Sequence, residues 1–460
     1  MASFPLIAHA HGEAVLAYRA GAPVSARQFL AEVDSLRRRL PAATHVLNMC
    51  TDRYRFSVGL AACLLAKKVS LLPSTHTPTV IRELRAFAPD TLCLTDTPRP
   101  ELDLPQFNYG ANCAQAAPDD TRAPWSVPEI AAEQPAAYVF TSGSTGTPVP
   151  HRKSWGRLVR CVQSESARLG FAALGRCAVL ATVPPQHMYG FESTVLLPLQ
   201  SGTALVAERP FFPADICNAL AALPRPRVLV TTPVHLRALL GVDITPPALD
   251  LIVSATALLP QHLARAAEAR CGARLLEIYG CTETGQIATR RTAAETEWRL
   301  WPGVHLRTEG TQCWIEGGHL EQPNLMNDIL EPRSRERFLL HGRTADLVNI
   351  AGKRSSLAYL NHQLNAIPGV VDGEFYLRED AQTSIAGVTR LGALVVAPHL
   401  SAGAITQQLR ERIDPVFLPR PLLLVAELPR NATGKVSREA LQALQASIEE
   451  RDCSLPEPVE

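Results

Sequence analysis

Two short stretches gather the side chains that could handle phosphate. TSGSTGTP, from Thr141 to Pro148, packs hydroxyls and glycines directly behind the apolar run AAYVF. Glycines let backbone N–H groups approach an anion closely, and Thr141, Ser142, Ser144 and Thr145 add donors without bulk. The stretch lacks the Gly-Lys-Ser/Thr ending of a P-loop, and the nearest basic residues, Arg152 and Lys153, come only after Pro148 and Pro150. A polar turn that is merely rich in Ser, Thr and Gly is the competing reading. The second stretch, IYGCTETG from Ile278 to Gly285, also follows an apolar run. There Thr282 offers a hydroxyl to phosphate, Glu283 a carboxylate to Mg2+, and Tyr279 a flat ring to a purine. A strand ending in a turn with a solvated Glu is the alternative. Two more segments set cations beside glycines: HGRTADLVNIAGKR with Arg343 and Arg354, and LPRNATGKVSREAL with Lys435 ahead of a helix. Single Arg and Lys residues are usually solvated surface groups.

These stretches are positioned by an alternation of amphipathic helix and short apolar strand. SARQFLAEVDSLRRRL has helical spacing, THVLNMC reads as a strand, SVGLAACLLAKK as a helix, and VSLLPS and DTLCLTD as buried strands. From Asn108 to Pro135 the chain is rich in Ala, Pro, Asp and Gln and reads as a surface connector. The alternation then resumes from AAYVFTS through KSWGRLVRCVQSESARLG to ARLLEIYG. Such a pattern predicts an α/β fold whose parallel sheet is covered by helices, with ligands at the carboxyl ends of the strands. Beyond Arg290 the pattern changes to hairpins, then to a small α+β part with helices at LAYLNHQLNAI, AGAITQQLRERI and from Ser437. A boundary near His341 is expected, giving residues 1–341 and 342–460.

At 460 residues the chain is long for one hydrophobic core. Its 46% apolar and 19% charged residues and net charge of +1 describe a globular protein without the basic surplus of a nucleic-acid footprint. The 11 cysteines form no Cys-x-x-Cys pair, so reduced, buried thiols are expected rather than disulfides or a zinc knuckle. MASFPLIAHAHGEA has no signal-peptide pattern and no run approaches 18 apolar residues, so a cytoplasmic protein without a membrane span is expected.

Taken in order, TSGSTGTP, YGCTETG, GRTADLVNIAGKR and PRNATGK resemble the adenylate-forming superfamily of acyl- and aryl-CoA synthetases, peptide-synthetase adenylation domains and luciferases. The resemblance spans residues from about 45 to 442. It implies a large N-terminal adenylate-forming domain and a small mobile C-terminal lid. It also implies ATP and Mg2+ as cofactors and attack of a carboxylate on the α-phosphate, followed by transfer of the acyl group to a thiol. By that resemblance Thr141, Ser142, Gly143, Ser144, Thr145 and Gly146 cradle the β- and γ-phosphates, Thr282 meets the α-phosphate and Glu283 holds Mg2+. SATALL stands where the family has SGGAPL, so Ala255, Thr256 and Ala257 line one face of the adenine and acyl pocket and Tyr279 covers the other. The family's Thr-Gly-Asp ribose motif is absent; Asp328 in LMNDILEP is its best match, with a solvated loop Asp as the competitor. Arg343 matches the arginine of ribose and phosphate, Lys435 the lysine between attacking carboxylate and α-phosphate, and Arg354 approaches AMP or the thiol donor. The hinge falls at residues 344–346, where Ala345 replaces the usual aspartate.

VPPQHMYGFE matches the segment that guards the acyl pocket, which makes His187 and Gly190 pocket candidates; a capped-turn histidine is the competitor at His187. The aromatic tips of His187, Tyr189 and Phe191 suit a flat, hydroxylated ring. The shortened chain and GRTADLVNIAGKRSSLAYLNHQL look most like the ligases of xanthomonadin and aryl-polyene pigment clusters, which implies a 3- or 4-hydroxybenzoate starter passed to an acyl carrier protein. LRRRL and PRSRER could dock an acidic carrier, and free coenzyme A is the alternative acceptor. A binding module without thioester chemistry and a phosphotransferase are the other function classes. Val149 stands at the family's usual loop lysine, so Arg152 or Lys153 is expected to bring positive charge to the loop from just beyond it.

Overall fold

The computed structural model describes residues 2–73, 75–112, 124–142, 148–310, 312–343, 347–350, 353–378, 390–430, 436, 440–441 and 443–444. Two sheets with parallel centres form the body. In the larger, the strands Val15–Arg19, Ala204–Val206, Ala178–Ala181, Arg227–Thr231, Leu251–Ser254 and Arg274–Cys281 lie side by side in that order, all parallel. Antiparallel strands extend both ends: Ala22–Ser25 at one, and Gly285–Arg290, Trp298–Leu300, Arg337–Arg343 and Asp328–Pro332 at the other. The smaller sheet runs Pro148–Ser154, Pro135–Ser142, Val69–Leu72, His45–Asn48, Leu92–Thr95, Gln106–Asn108, and only its first strand is antiparallel. Central strands such as LIVS and VSLL are buried at every position, as expected where helices cover both faces.

The helices begin and end where local chemistry dictates. Trp155–Leu169 starts at Ser154, whose hydroxyl accepts from the Arg157 amide at 3.3 Å, and stops at Gly170 with φ of 82°. Its Leu158, Val159, Val162 and Leu169 pack into one core with residues of both sheets, among them Leu72, Val139 and Val253.

Behind the larger sheet's last strand comes a smaller region. The strands Asp372–Arg378, Arg390–Val396 and Leu422–Leu424 form a sheet, and the helices Leu357–Asn365 and Ala402–Arg410 share a core with it through Leu360, Leu364, Phe375, Val395, Ile405 and Leu409. Asp372 ties this region to the helix Pro233–Leu240 through Arg237 at 3.1 Å, and also binds Arg430 at 2.7 and 2.8 Å. The α/β expectation is met. The larger sheet runs through the expected boundary, since Arg337–Arg343 is one of its strands. The hinge at residues 344–346 and most of the helix expected from Ser437 lie outside the described residues.

Two expectations need correction. The hydroxyl-rich stretch does not lead from strand directly to helix: the strand Pro148–Ser154 pairs antiparallel with Pro135–Ser142, and the helix begins only at Trp155. Pro148 and Pro150 fit because this is an edge strand, where a missing N–H costs no ladder bond. The stretch from Asn108 to Pro135 is more than a surface connector, since Glu129–Ala131 pairs with Ser3–Pro5 and both Tyr109 and Ile130 are buried. The N-terminal strands, too short to read from the sequence, place Val15–Arg19 beside Ala204–Val206.

Candidate active site

After Ala178–Ala181 the chain places Ala204–Val206 on one side of that strand and Arg227–Thr231 on the other. Such a reversal opens a crevice outside the carboxyl ends of the strands, where open α/β sheets take ligands. The segment 182–190, with His187 and Gly190, leaves the sheet at this point. His187 is half-buried and caps the short helix Met188–Gly190, its Nδ1 accepting from the Tyr189 amide at 3.3 Å. Gly190 has a packing reason: a Cβ there would lie 2.0 Å from the Pro184 carbonyl oxygen. The expectation that Tyr189 and Phe191 present themselves to an acid is overturned. The Tyr189 hydroxyl is buried against the Thr231 and Val253 carbonyls at 3.2 and 3.0 Å, and Phe191 is fully buried beside Phe56. Both belong to the core, on the helical stretch 188–196, which is buried at every position.

The two phosphate candidates meet as two hairpins. Thr141 Oγ1 lies 3.0 Å from His151 Nε2, and the same nitrogen lies 4.0 Å from Glu283 Oε1. Burial holds the His151 imidazole below its ordinary pKa. Burial pushes the Glu283 carboxyl up, but hydrogen bonds from Cys281 and its own amide, with the charges of His151 and Lys153, outweigh it and keep the group an anion. The expectation that Arg152 or Lys153 charges the loop is corrected. Arg152 donates to the Glu133 carbonyl at 2.8 Å, and Lys153 is fully buried with its Nζ on the Thr282 and Glu283 carbonyls. Strand alternation explains the latter: Val149, His151 and Lys153 share one face, and that face turns from solvent at Val149 to core at Lys153.

The nucleotide candidates converge as well. The Tyr279 hydroxyl donates to Asp328 Oδ2 across 49 residues of sequence, and its ring packs against Trp298 and Phe338 at 5.5 and 5.7 Å. Asp328 opens a strand whose register pairs it with Arg343. A cavity of 320 Å³ borders Asp328 together with Met326 and Asn327. Ala255 and Thr256 follow the strand Leu251–Ser254 next to Arg274–Cys281, with Thr256 at φ of 81° and Ala257 half-buried. Gly143, Ser144, Thr145, Gly146 and Lys435 lie outside the described residues, as do the side chains of Ser142, Arg343 and Arg354.

Residues 13–315 match the family of AMP-binding enzymes. A 4-coumarate–CoA ligase of Rhodobacter capsulatus is 31% identical over 311 residues, covering 66% of this chain and 76% of the relative. A 4-coumarate–CoA ligase of Halorhodospira halophila is 30% identical over 304 residues, 64% of this chain and 73% of that protein. Among solved structures, the o-succinylbenzoate CoA synthetase of Bacillus subtilis with its acyl-adenylate superposes with a TM-score of 0.79 at 17% identity, over 96% of this chain and 99% of that one. The chain belongs to the AMP-binding enzyme family. It is an AMP-forming acid–thiol ligase that uses ATP. Glu283 offers a single hard carboxylate, which would suit the Mg2+ that the resemblance implies. Mg2+ characteristically takes one or two carboxylates and completes its shell with water and substrate phosphates.

Among the described residues no helix is long and apolar enough to cross a membrane. The described cysteines are all free, and all but Cys281 are buried.

Proposed function

We propose that this ligase activates an aromatic carboxylic acid, a hydroxybenzoate-like acid in the first instance, and passes the acyl group to the phosphopantetheine thiol of coenzyme A. The observation that carries the nucleotide half is the convergence of Tyr279, Asp328 and Arg343 at one end of the larger sheet, beside the Thr282–Glu283 turn. In this reading Tyr279 and Ala255 to Ala257 flank the adenine and the acyl group, Asp328 accepts from the ribose hydroxyls, and Arg343 contacts ribose and phosphate. The Thr141–Gly146 loop holds the leaving pyrophosphate and Thr282 meets the α-phosphate. Mg2+ beside Glu283 supplies positive charge that offsets repulsion between the incoming carboxylate and the polyphosphate. The carboxylate oxygen bonds to the α-phosphorus as the bond to pyrophosphate breaks, and the thiolate then displaces AMP from the acyl carbon. Lys435 bridges carboxylate and α-phosphate in the first step, and Arg354 faces AMP or the thiol in the second, after the part of the chain beyond residues 344–346 turns about that hinge.

Support for an aromatic acid comes from the 4-coumarate ligases among the relatives and from half-buried His187 at the crevice. Coenzyme A is supported by the same names. The basic stretches that could have docked an acidic carrier already hold acidic partners: Arg37 and Arg38 share Asp34, Arg333 meets Glu331 at 3.0 Å and Arg337 meets Glu297 at 3.4 Å. A carrier-dependent hydroxybenzoate ligase of a pigment cluster is the second reading, carried by the look of the C-terminal sequence. Free, buried cysteines support a cytoplasmic location. Release of pyrophosphate and AMP is to be measured with benzoates, cinnamates, fatty acids and amino acids, with coenzyme A, with a carrier protein and with neither. Thioester on coenzyme A supports the proposal, and thioester on the carrier alone favours the second reading. Lys435→Ala is expected to lose adenylation; a normal rate would remove Lys435 from its role.

A further inference from the structure

The turn that carries Thr282 and Glu283 rests on buried bases. Lys153 Nζ donates to the Thr282 carbonyl and, at 3.1 Å, to the Glu283 carbonyl; Arg157 also donates to the Glu283 carbonyl, and His319 Nε2 lies 3.0 Å from the Thr284 carbonyl. Three consecutive carbonyls thus point into the core. In a trans peptide the carbonyl and the next N–H point in opposite directions, so the amides of Glu283 and Thr284 face away from the bases. The amide of Glu283 bonds its own carboxylate there. Beneath the turn lies a buried carboxyl group: a Cβ on Gly285, whose φ is 73°, would stand 2.7 Å from Glu192 Oε1. Glu192 is 1% exposed, and its Oε2 has no hydrogen-bond partner among the described residues.

We propose that Lys153 is a positioning residue for adenylation, fixing the Thr282–Glu283 turn from the core so that the hydroxyl and the carboxylate are held ready for the triphosphate. This rests on the roles given to Thr282 and Glu283 above. A lysine placed only for stability would make an ion pair with the buried carboxylate; among the described residues Lys153 makes none within 4.0 Å, and its ammonium serves the two turn carbonyls. Fully buried lysines are rare, and a neutral side chain of similar length could fill the space without orienting two peptide planes. The groups facing Lys153 come from every neighbouring element. Arg157 and Cys161 lie on its own following helix, Glu192 on the segment Phe191–Leu196, Cys281 and Glu283 on the turn, His151 on its own strand and His319 beyond. Burial and Arg157 lower the ammonium to a pKa of about 8, against the pull of Glu192.

The test follows pyrophosphate release by the full chain with ATP, Mg2+ and the best acid of the panel, in wild type, Lys153→Met and Glu192→Gln. Lys153→Met is expected to lower kcat by about tenfold and to raise the Mg2+ needed for half-maximal rate, with KM for the acid within about twofold of wild type. In Glu192→Gln, which leaves both turn carbonyls their Lys153 donor, kcat and the Mg2+ requirement are expected to stay within about twofold of wild type. A merely structural lysine would lower Tm without moving the Mg2+ requirement. Folded Lys153→Met with wild-type kcat overturns the proposal. A raised Mg2+ requirement in folded Glu192→Gln, whose lysine still holds both carbonyls, overturns it too, and this comparison decides if Lys153→Met does not fold. A wild type that releases no pyrophosphate with any acid removes the ligase reading itself, and the proposal with it.

Discussion

Tyr279→Phe isolates a single hydrogen bond. The substitution keeps the ring that packs against Trp298 and Phe338 at 5.5 and 5.7 Å and removes only the hydroxyl that donates to Asp328 Oδ2. A hydrogen bond to a charged acceptor contributes about 1.5–3 kcal/mol, and Asp328 is only half-buried, so water recovers part of the loss and the lower end applies. In its proposed ribose role the carboxylate then loses its orientation. About 1.4 kcal/mol corresponds to a tenfold change in affinity. KM for ATP in pyrophosphate release, and AMP affinity by calorimetry, are therefore expected to weaken about tenfold, with KM for the acid unchanged and Tm nearly so. Asp328→Asn should weaken ATP by at least as much, because it removes the charge itself. A folded Tyr279→Phe that binds AMP as tightly as wild type would refute the assignment of Asp328 to the ribose.

Gly190→Ala forces a Cβ to within 2.0 Å of the Pro184 carbonyl and should cost about 3 kcal/mol, read as a lower Tm or a failure to accumulate folded protein; an unchanged Tm would contradict the packing reason for that glycine. Tyr189→Phe should lower stability by about 1 kcal/mol while leaving the ranking of benzoates intact, and a changed ranking would return Tyr189 to the acid pocket. Burial raises the Glu165 carboxyl to a pKa of about 8, so the folded chain holds a proton that the unfolded chain releases above about pH 4.5, and stability falls as pH rises through that window. Glu165→Gln should flatten this slope, and an identical pH dependence of Tm in both proteins would contradict it.

The sequence makes the alternation of strand and helix legible because central parallel strands such as LIVS and RVLVT are continuous apolar runs. The strand Pro148–Ser154 escapes such reading, since two prolines and three basic residues mimic a loop and only the edge position tolerates them. Four motifs sufficed to bring the superfamily into view, but their mutual geometry was not in them. The Tyr279–Asp328 contact spans 49 residues, and nothing in LMNDILEP announces it. Lys153 read as a charge for the phosphate loop because it follows that loop closely in sequence; only the position of its strand between solvent and core sends it inward. A two-residue alternation from exposed Val149 would have hinted at this, had PVPHRKS been taken as a strand. Tyr189 and Phe191 misled in the opposite sense, as apolar bodies in a motif segment whose backbone turns them into the core.

The central claim is adenylation of an aromatic acid, and its most direct measurement is the acid-dependent release of pyrophosphate from ATP by the purified chain, followed by AMP and thioester when coenzyme A is added. The account predicts pyrophosphate and AMP in equal amounts, with hydroxybenzoates or cinnamates far ahead of fatty acids and amino acids, and no ADP. Pyrophosphate release independent of any acid, or ADP as the nucleotide product, would contradict it.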